Sequence, residues 1–250
     1  MPIEINSAGV LGGGVMGAGI GQALAVGGLK VTIRDLNDEL LEKARSTIVD
    51  GRFGLKRGVE RGKTSQEQMD SAIASLSFTT RLDDLKDVDL VIEAVPEDLD
   101  LKKKVWAEMD GIVQPRAVFA TNTSGLVIGE INQAVGESRR PRFIGAHWFS
   151  PAPIMKLVEL VHAPETAEET IKALESLCQR IGKASVRVKD APGKYGFIAN
   201  RVYFAAVREA QAVLAEGIAS AEDINKAMVF GFNWPVGPLA MVAGAQKGWQ

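Results

Sequence analysis

Along the first 190 residues, short continuous apolar runs alternate with stretches whose apolar side chains recur every three to four positions. The runs at 8–11, 29–33, 77–79, 87–95, 117–120, 142–146, 154–161 and 184–188 have strand length. Between them, helical spacing appears at Ala18, Ile20, Ala23 and Leu24, then at Leu40, Leu41, Ala44 and Ile48 over 38–62, over 99–113, and at Ile171, Leu174, Leu177 and Cys178. Thr64 with Glu67 and Thr166 with Glu169 have the spacing of capping boxes. Strands that alternate with helices, and that are apolar on both faces, predict a mostly parallel, doubly wound sheet. At Asp190-Ala-Pro-Gly193 the character changes. Beyond it only helical patterns follow, over 197–216 and from a Ser220-x-x-Asp223 start into 224–230. The expected organisation is therefore an α/β domain over 1–190 and an all-helical C-terminal domain over 191–250. A new element begins near Gly231 and stops at Gln250 without a cap, so a longer native chain is expected.

The first strand leads into Gly12-Gly13-Gly14-Val15-Met16-Gly17, a helix follows, and the second strand ends at Arg34-Asp35. Strand, G-x-G-x-x-G, helix, strand and acidic residue form the fingerprint of a Rossmann-type dinucleotide-binding unit. In this reading Gly12 makes the tight turn, Gly14 admits the pyrophosphate and Gly17 lets helix and strand pack closely. The diphosphate lies over the helix start at Gly14, Val15 and Met16. A carboxylate at Asp35 accepts hydrogen bonds from ribose hydroxyls and repels a 2′-phosphate, so NAD is expected rather than NADP, with Arg34 the one feature favouring the phosphate.

Charge narrows the partners. The 29 basic and 31 acidic residues nearly balance, which gives no field for nucleic acid or an anionic membrane. No apolar run approaches a membrane-spanning length, and the first residues lack the features of a signal peptide. A single cysteine, Cys178, fits a reducing, cytoplasmic setting and reads as a buried helix thiol.

Candidate chemistry concentrates at 145–161. His147, one of two histidines, ends one apolar run, two prolines turn the chain, and the next run carries Glu159. An imidazole and a carboxylate on neighbouring strands suit a general base with an acidic partner. His162, just before Ala163-Pro164, reads as a surface residue. Glu97, beyond the carboxyl end of a central strand, and Lys102, one turn into the next helix, are placed to contact the cofactor. Asn122-Thr123-Ser124 puts polar groups at the end of another internal strand, where they can orient a substrate. The basic cluster Lys56, Arg57, Arg61 and Lys63 is a solvated helix face, with Lys56 the candidate grip on the phosphates of a carrier such as coenzyme A.

Taken together, Gly12 to Gly17, Asp35, Glu93-Ala-Val-Pro-Glu97, Asn122-Thr-Ser124, His147 to Glu159, Asp190-Ala-Pro-Gly193 and Gly196-Phe-Ile-Ala-Asn-Arg201 resemble the 3-hydroxyacyl-CoA dehydrogenase family. The resemblance spans nearly the whole chain. It implies NAD-dependent, reversible oxidation of (S)-3-hydroxyacyl-CoA to 3-oxoacyl-CoA, with NAD as cofactor and no metal. It implies the catalytic base at His147 and its partner at Glu159, substrate held by Ser124 and Asn200, cofactor contacts at Glu97, Lys102 and Ser124, and a coenzyme A contact at Lys56. A homodimer through the C-terminal helices is also implied. Where the family commonly reads His-Phe-Phe-Asn-Pro, this chain has His147-Trp-Phe-Ser150-Pro151, so a shorter side chain stands near the nicotinamide. Lys194-Tyr195-Gly196 opens the usual Asp-x-Pro-Gly-Phe junction, which bears on how Asn200 enters the cleft.

Two other readings share the architecture. A dehydrogenase of a free hydroxy acid, such as the gulonate or carnitine enzymes, needs no coenzyme A grip. A structural or nucleotide-sensing protein on the same fold needs no intact His147, Glu159, Ser124 and Asn200 set.

Overall fold

The computed structural model describes residues 3–193 and 195–246. Contacts divide the chain into two compact units between Gly193 and Tyr195. The first contains eight strands, β1 Ser7–Leu11, β2 Lys30–Arg34, β3 Leu76–Thr79, β4 Leu90–Glu93, β5 Val118–Thr121, β6 Phe143–Trp148, β7 Leu157–His162 and β8 Ala184–Lys189. Its helices are α1 Val15–Val26, α2 Asp38–Asp50, α3 Leu55–Glu60, α4 Gln66–Ala74, α5 Leu99–Ile112, α6 Ile128–Asn132 and α7 Glu168–Arg180. The strands form one sheet in the order β3-β2-β1-β4-β5-β6-β7-β8. All neighbours are parallel except β6 and β7, so the sheet is doubly wound and mostly parallel.

Burial explains the continuous apolar runs. β4, β5 and β6 are buried at every position because helices cover both faces. Between them lie Trp106, Phe119 and Phe143, with Trp106 ring centroids 4.7 and 5.0 Å from the other two. Arg139 closes this side of the core. Its guanidinium stacks on Phe119 and donates to the carbonyls of Val113, Gln114 and Ala117, in the connection from α5 to β5.

Several local expectations are corrected. The helical pattern over 38–62 is two helices: the chain turns at Gly51, where a Cβ would lie 2.3 Å from the Thr47 carbonyl, so the turn is open only to glycine. That break is held by Gln22, which donates to Phe53 O. The capping box falls one residue later, at Ser65 and Gln68. Thr64 belongs to the preceding turn, where its N–H, like that of Lys63, is accepted by Gly58 O. Thr166 does not cap α7. Its hydroxyl accepts from Ala163 N and donates to Phe143 O, binding the loop to β6. β6 extends through Trp148 and so includes His147, while β7 begins only at Leu157. Ile154 and Met155 lie in a turn, both N–H groups accepted by Pro151 O.

The second unit contains α8 Ile198–Ala215, α9 Ala221–Phe232 and α10 Pro238–Gln246. Ser220 caps α9 by accepting from Asp223 N, and Asn233 ends it in the left-handed region, φ 55°. Asn225 Oδ1 accepts from Leu239 N and Ala240 N, satisfying the start of α10. Among the described residues no helix is long and apolar enough to cross a membrane.

Candidate active site

The turn from β1 into α1 is built for close approach of a ligand to backbone. Gly12 has φ 93° and donates to Arg34 O, and a Cβ there would sit 2.9 Å from Ala94 O. At Gly17 a Cβ would lie 1.7 Å from Gly12 O, so only glycine lets α1 cross β1 at this distance. Gly14 caps α1 with nothing within 4 Å of a Cβ position, which leaves room for a diphosphate over the helix start. Val15 is exposed, Met16 half-buried, and the first turn of α1 carries no acid to compete with an anion. Gly17→Ala is therefore expected to break the turn and abolish NADH binding, as read by nucleotide fluorescence titration. Unchanged affinity would show that this contact is not required.

Asp35 directly follows β2 with its carboxylate already oriented. Oδ2 accepts from Gly13 N at 2.6 Å and Oδ1 from Leu36 N at 2.7 Å. Arg34 Nε donates to Thr80 O, so its guanidinium is engaged on the loop after β3. These residues fit a nicotinamide dinucleotide with free ribose hydroxyls.

Two further loops converge at the carboxyl ends of β4 and β5. Glu93, fully buried at the end of β4, accepts from Lys102 Nζ at 2.6 Å and from Val95 N through Oε1, and from Thr121 Oγ1 through Oε2. Lys102 is only 1% exposed and also reaches Val95 O and Glu97 Oε2, at 3.2 and 3.5 Å. It is thus neither a solvated lysine nor open to solvent, and it braces the loop that presents Glu97. Glu97 Oε1 accepts from Thr123 Oγ1 at 2.7 Å and Ser124 N at 2.8 Å, fixing the turn that carries Ser124.

His147 and Glu159 are directly opposite each other in the antiparallel β6–β7 ladder, so their side chains share a face. Nδ1 of His147 lies 2.8 Å from Glu159 Oε2, with both residues buried. The Phe149 ring packs 4.5 Å from the imidazole. Asn122 Oδ1 accepts the Trp148 N–H at 2.9 Å. Ser150 is exposed and precedes a cis peptide bond to Pro151. Lys183 holds this loop by donating to Ala152 O and Met155 O.

The remaining candidates lie elsewhere in the chain. Lys56 is exposed and pairs with Asp50 at 2.6 Å. Asn200 lies half-buried in the first turn of α8, within the second unit. Lys194 lies outside the described residues. His162 is half-buried, and burial pushes the Cys178 thiol up to about 12, leaving it protonated and unreactive at neutral pH. Among the described residues no group of three or more His, Cys, Asp or Glu could hold a metal. Sequence reasoning missed Glu93 and Lys183 as parts of the site, and it placed Asn122 at its strand end without the bond to Trp148 N. Glu93 alone carried a signal, a charge closing an otherwise apolar run.

The comparisons with known proteins agree with this geometry. Residues 7–191 match the 3-hydroxyacyl-CoA dehydrogenase NAD binding domain, and residues 196–246 match the C-terminal domain of the same family. A probable 3-hydroxybutyryl-CoA dehydrogenase from Bacillus subtilis is 37% identical over 96% of this chain and 80% of its own length. The mitochondrial hydroxyacyl-coenzyme A dehydrogenase of Rattus norvegicus is also 37% identical, over 96% of this chain and 76% of its own. The crystal structure of (S)-3-hydroxybutyryl-CoA dehydrogenase from Ralstonia eutropha superposes with a TM-score of 0.88 at 39% identity, covering 95% of this chain and 81% of that one. A dinucleotide turn, a buried His-Glu pair and matches along both units together carry one conclusion: this chain belongs to the 3-hydroxyacyl-CoA dehydrogenase family of NAD-dependent oxidoreductases.

Proposed function

We propose that the protein interconverts (S)-3-hydroxyacyl-CoA and 3-oxoacyl-CoA with His147 as general base. The observation that carries this reading is the buried His147–Glu159 contact at the carboxyl end of the sheet, the side on which the glycine turn opens. Bound NAD supplies the hydride acceptor. Glu159 engages Nδ1, so Nε2 is the nitrogen that takes the proton of the 3-hydroxyl as the C3 hydride leaves. The carboxylate holds the ring in one orientation and stabilises the imidazolium that forms. In the reverse direction the same nitrogen returns the proton to the 3-oxo oxygen.

Ser124, on a turn pinned by Glu97, and Asn200, in the first turn of α8, are the two residues assigned to holding the substrate. Lys56 grips a phosphate of coenzyme A by exchanging its exposed pairing with Asp50. Gly12, Gly14, Val15, Met16, Gly17 and Asp35 bind the dinucleotide, with Glu97 and Ser150 towards the nicotinamide and the buried Lys102 holding Glu97 in place. Residues 1–190 serve as the cofactor domain and 191–250 as the substrate and dimerisation domain. Exposed Ile218, Phe230 and Phe232 supply apolar surface for a second copy. The one free, buried cysteine suits the cytoplasm.

The rate tests the pairing. Glu159→Gln keeps the shape of the side chain and removes the charge beside the imidazole. It is expected to lower kcat about tenfold to a hundredfold with NADH affinity unchanged. A wild-type kcat would leave Glu159 a structural role only.

A further inference from the structure

The main-chain ladder between β5 and β6 closes at the Thr121–Gly145 pair. His147 and Trp148 lie beyond it, supported by main-chain pairing only on the β7 side. At this point a side chain continues the ladder. Asn122, the first residue after β5, places Oδ1 2.9 Å from the Trp148 N–H. Because the donor is a backbone N–H, the oxygen of the amide must face it. That N–H belongs to the peptide group that starts at the His147 carbonyl, so the bond fixes the plane on which the imidazole is mounted.

Two residues further on, Ser124 is held by its own N–H on Glu97, beside the Thr123 hydroxyl on the same oxygen. Thr121, one residue earlier, is tied to Glu93. Four consecutive residues thus reach three different segments, and the span from Asn122 to Ser124 sets the distance between the peptide carrying His147 and the serine. We propose that Asn122 is a positioning residue of the active site, which fixes His147 relative to Ser124 without touching substrate. This rests on His147 acting as the base.

A misplacement of about 1 Å between reacting groups can cost on the order of a hundredfold in rate, with little change in binding. Asn122→Ala is expected to lower kcat about tenfold to a hundredfold while changing the KM for NADH by less than about threefold. Asn122→Asp keeps an oxygen to accept the Trp148 N–H and should recover most of that loss, an effect that general destabilisation would not produce. Both variants are assayed with acetoacetyl-CoA beside His147→Gln. If Asn122→Ala turns over at the wild-type rate while His147→Gln is inactive, the positioning role is wrong and the base assignment stands. A fully active His147→Gln overturns both. If Asn122→Ala does not fold, Asn122→Asp decides alone: near-normal kcat supports the role, and loss of kcat with unchanged melting temperature and NADH affinity overturns it.

Discussion

Replacing His147 by glutamine is expected to lower kcat by a factor of about a hundred to ten thousand while leaving NADH affinity essentially unchanged. Glutamine is the informative choice because Glu159 is fully buried and its Oε2 is engaged by the imidazole Nδ1. Alanine would remove that contact and leave a cavity beside a buried carboxylate, so lost folding and lost chemistry would be confounded. A glutamine amide donates a hydrogen bond to the carboxylate but cannot exchange a proton. The fall in kcat with NADH affinity retained would mark the loss of an interaction made in the transition state. Steady-state rates with acetoacetyl-CoA, read beside NADH titration and a thermal melt, make the check. A His147→Gln rate within about threefold of wild type would remove the base from the mechanism.

Lys102→Met is expected to cost about 3–5 kcal/mol of stability, since removing one partner of a buried pair leaves an uncompensated charge. Glu93 has no solvent to fall back on, and Thr121 Oγ1 and Val95 N are the two donors left to it. Val95 O would lose its 3.2 Å contact at the same time, loosening the turn that presents Glu97. The variant should therefore also bind NADH more weakly. The double variant Glu93→Met/Lys102→Met should recover much of the stability, because apolar replacement of both partners is often neutral or better. Urea unfolding of the three proteins measures this. A loss below about 1 kcal/mol for Lys102→Met would show that the pair is not isolated from water.

Much of this site was legible before any coordinates because its parts obey local rules. The glycine turn is such a case: Gly12 needs positive φ and Gly17 cannot carry a Cβ, so strand, turn and helix are written in adjacent residues. His147 and Glu159 were legible as a pair because a short connection between two apolar runs makes an antiparallel hairpin, which sets like-facing residues opposite each other. What was missed depends on partners far apart in sequence. Glu93 and Thr121, Asn122 and Trp148, and Lys183 and Ala152 meet only after the sheet order is known. The two misplaced caps have a similar origin. Thr64 and Thr166 both have suitable spacing, but Thr64 is drawn into the turn after α3, and tertiary hydrogen bonds to the β6 side claim the Thr166 hydroxyl. At α4 the adjacent Ser65 takes the capping role, whereas α7 starts at Ala167 with no side-chain cap at all.

The central claim is that a 3-oxoacyl thioester is reduced at the His147 site at the expense of NADH. The most direct measurement is NADH consumption by the full chain with acetoacetyl-CoA and, separately, with free acetoacetate. The predicted result is turnover that prefers the thioester by at least about a hundredfold in kcat/KM, with the preference reduced when Lys56 is replaced by glutamate. Equal use of the free acid, indifferent to the Lys56 charge, would contradict the coenzyme A reading, and no NADH oxidation with any 3-oxoacyl thioester would contradict the catalytic account itself.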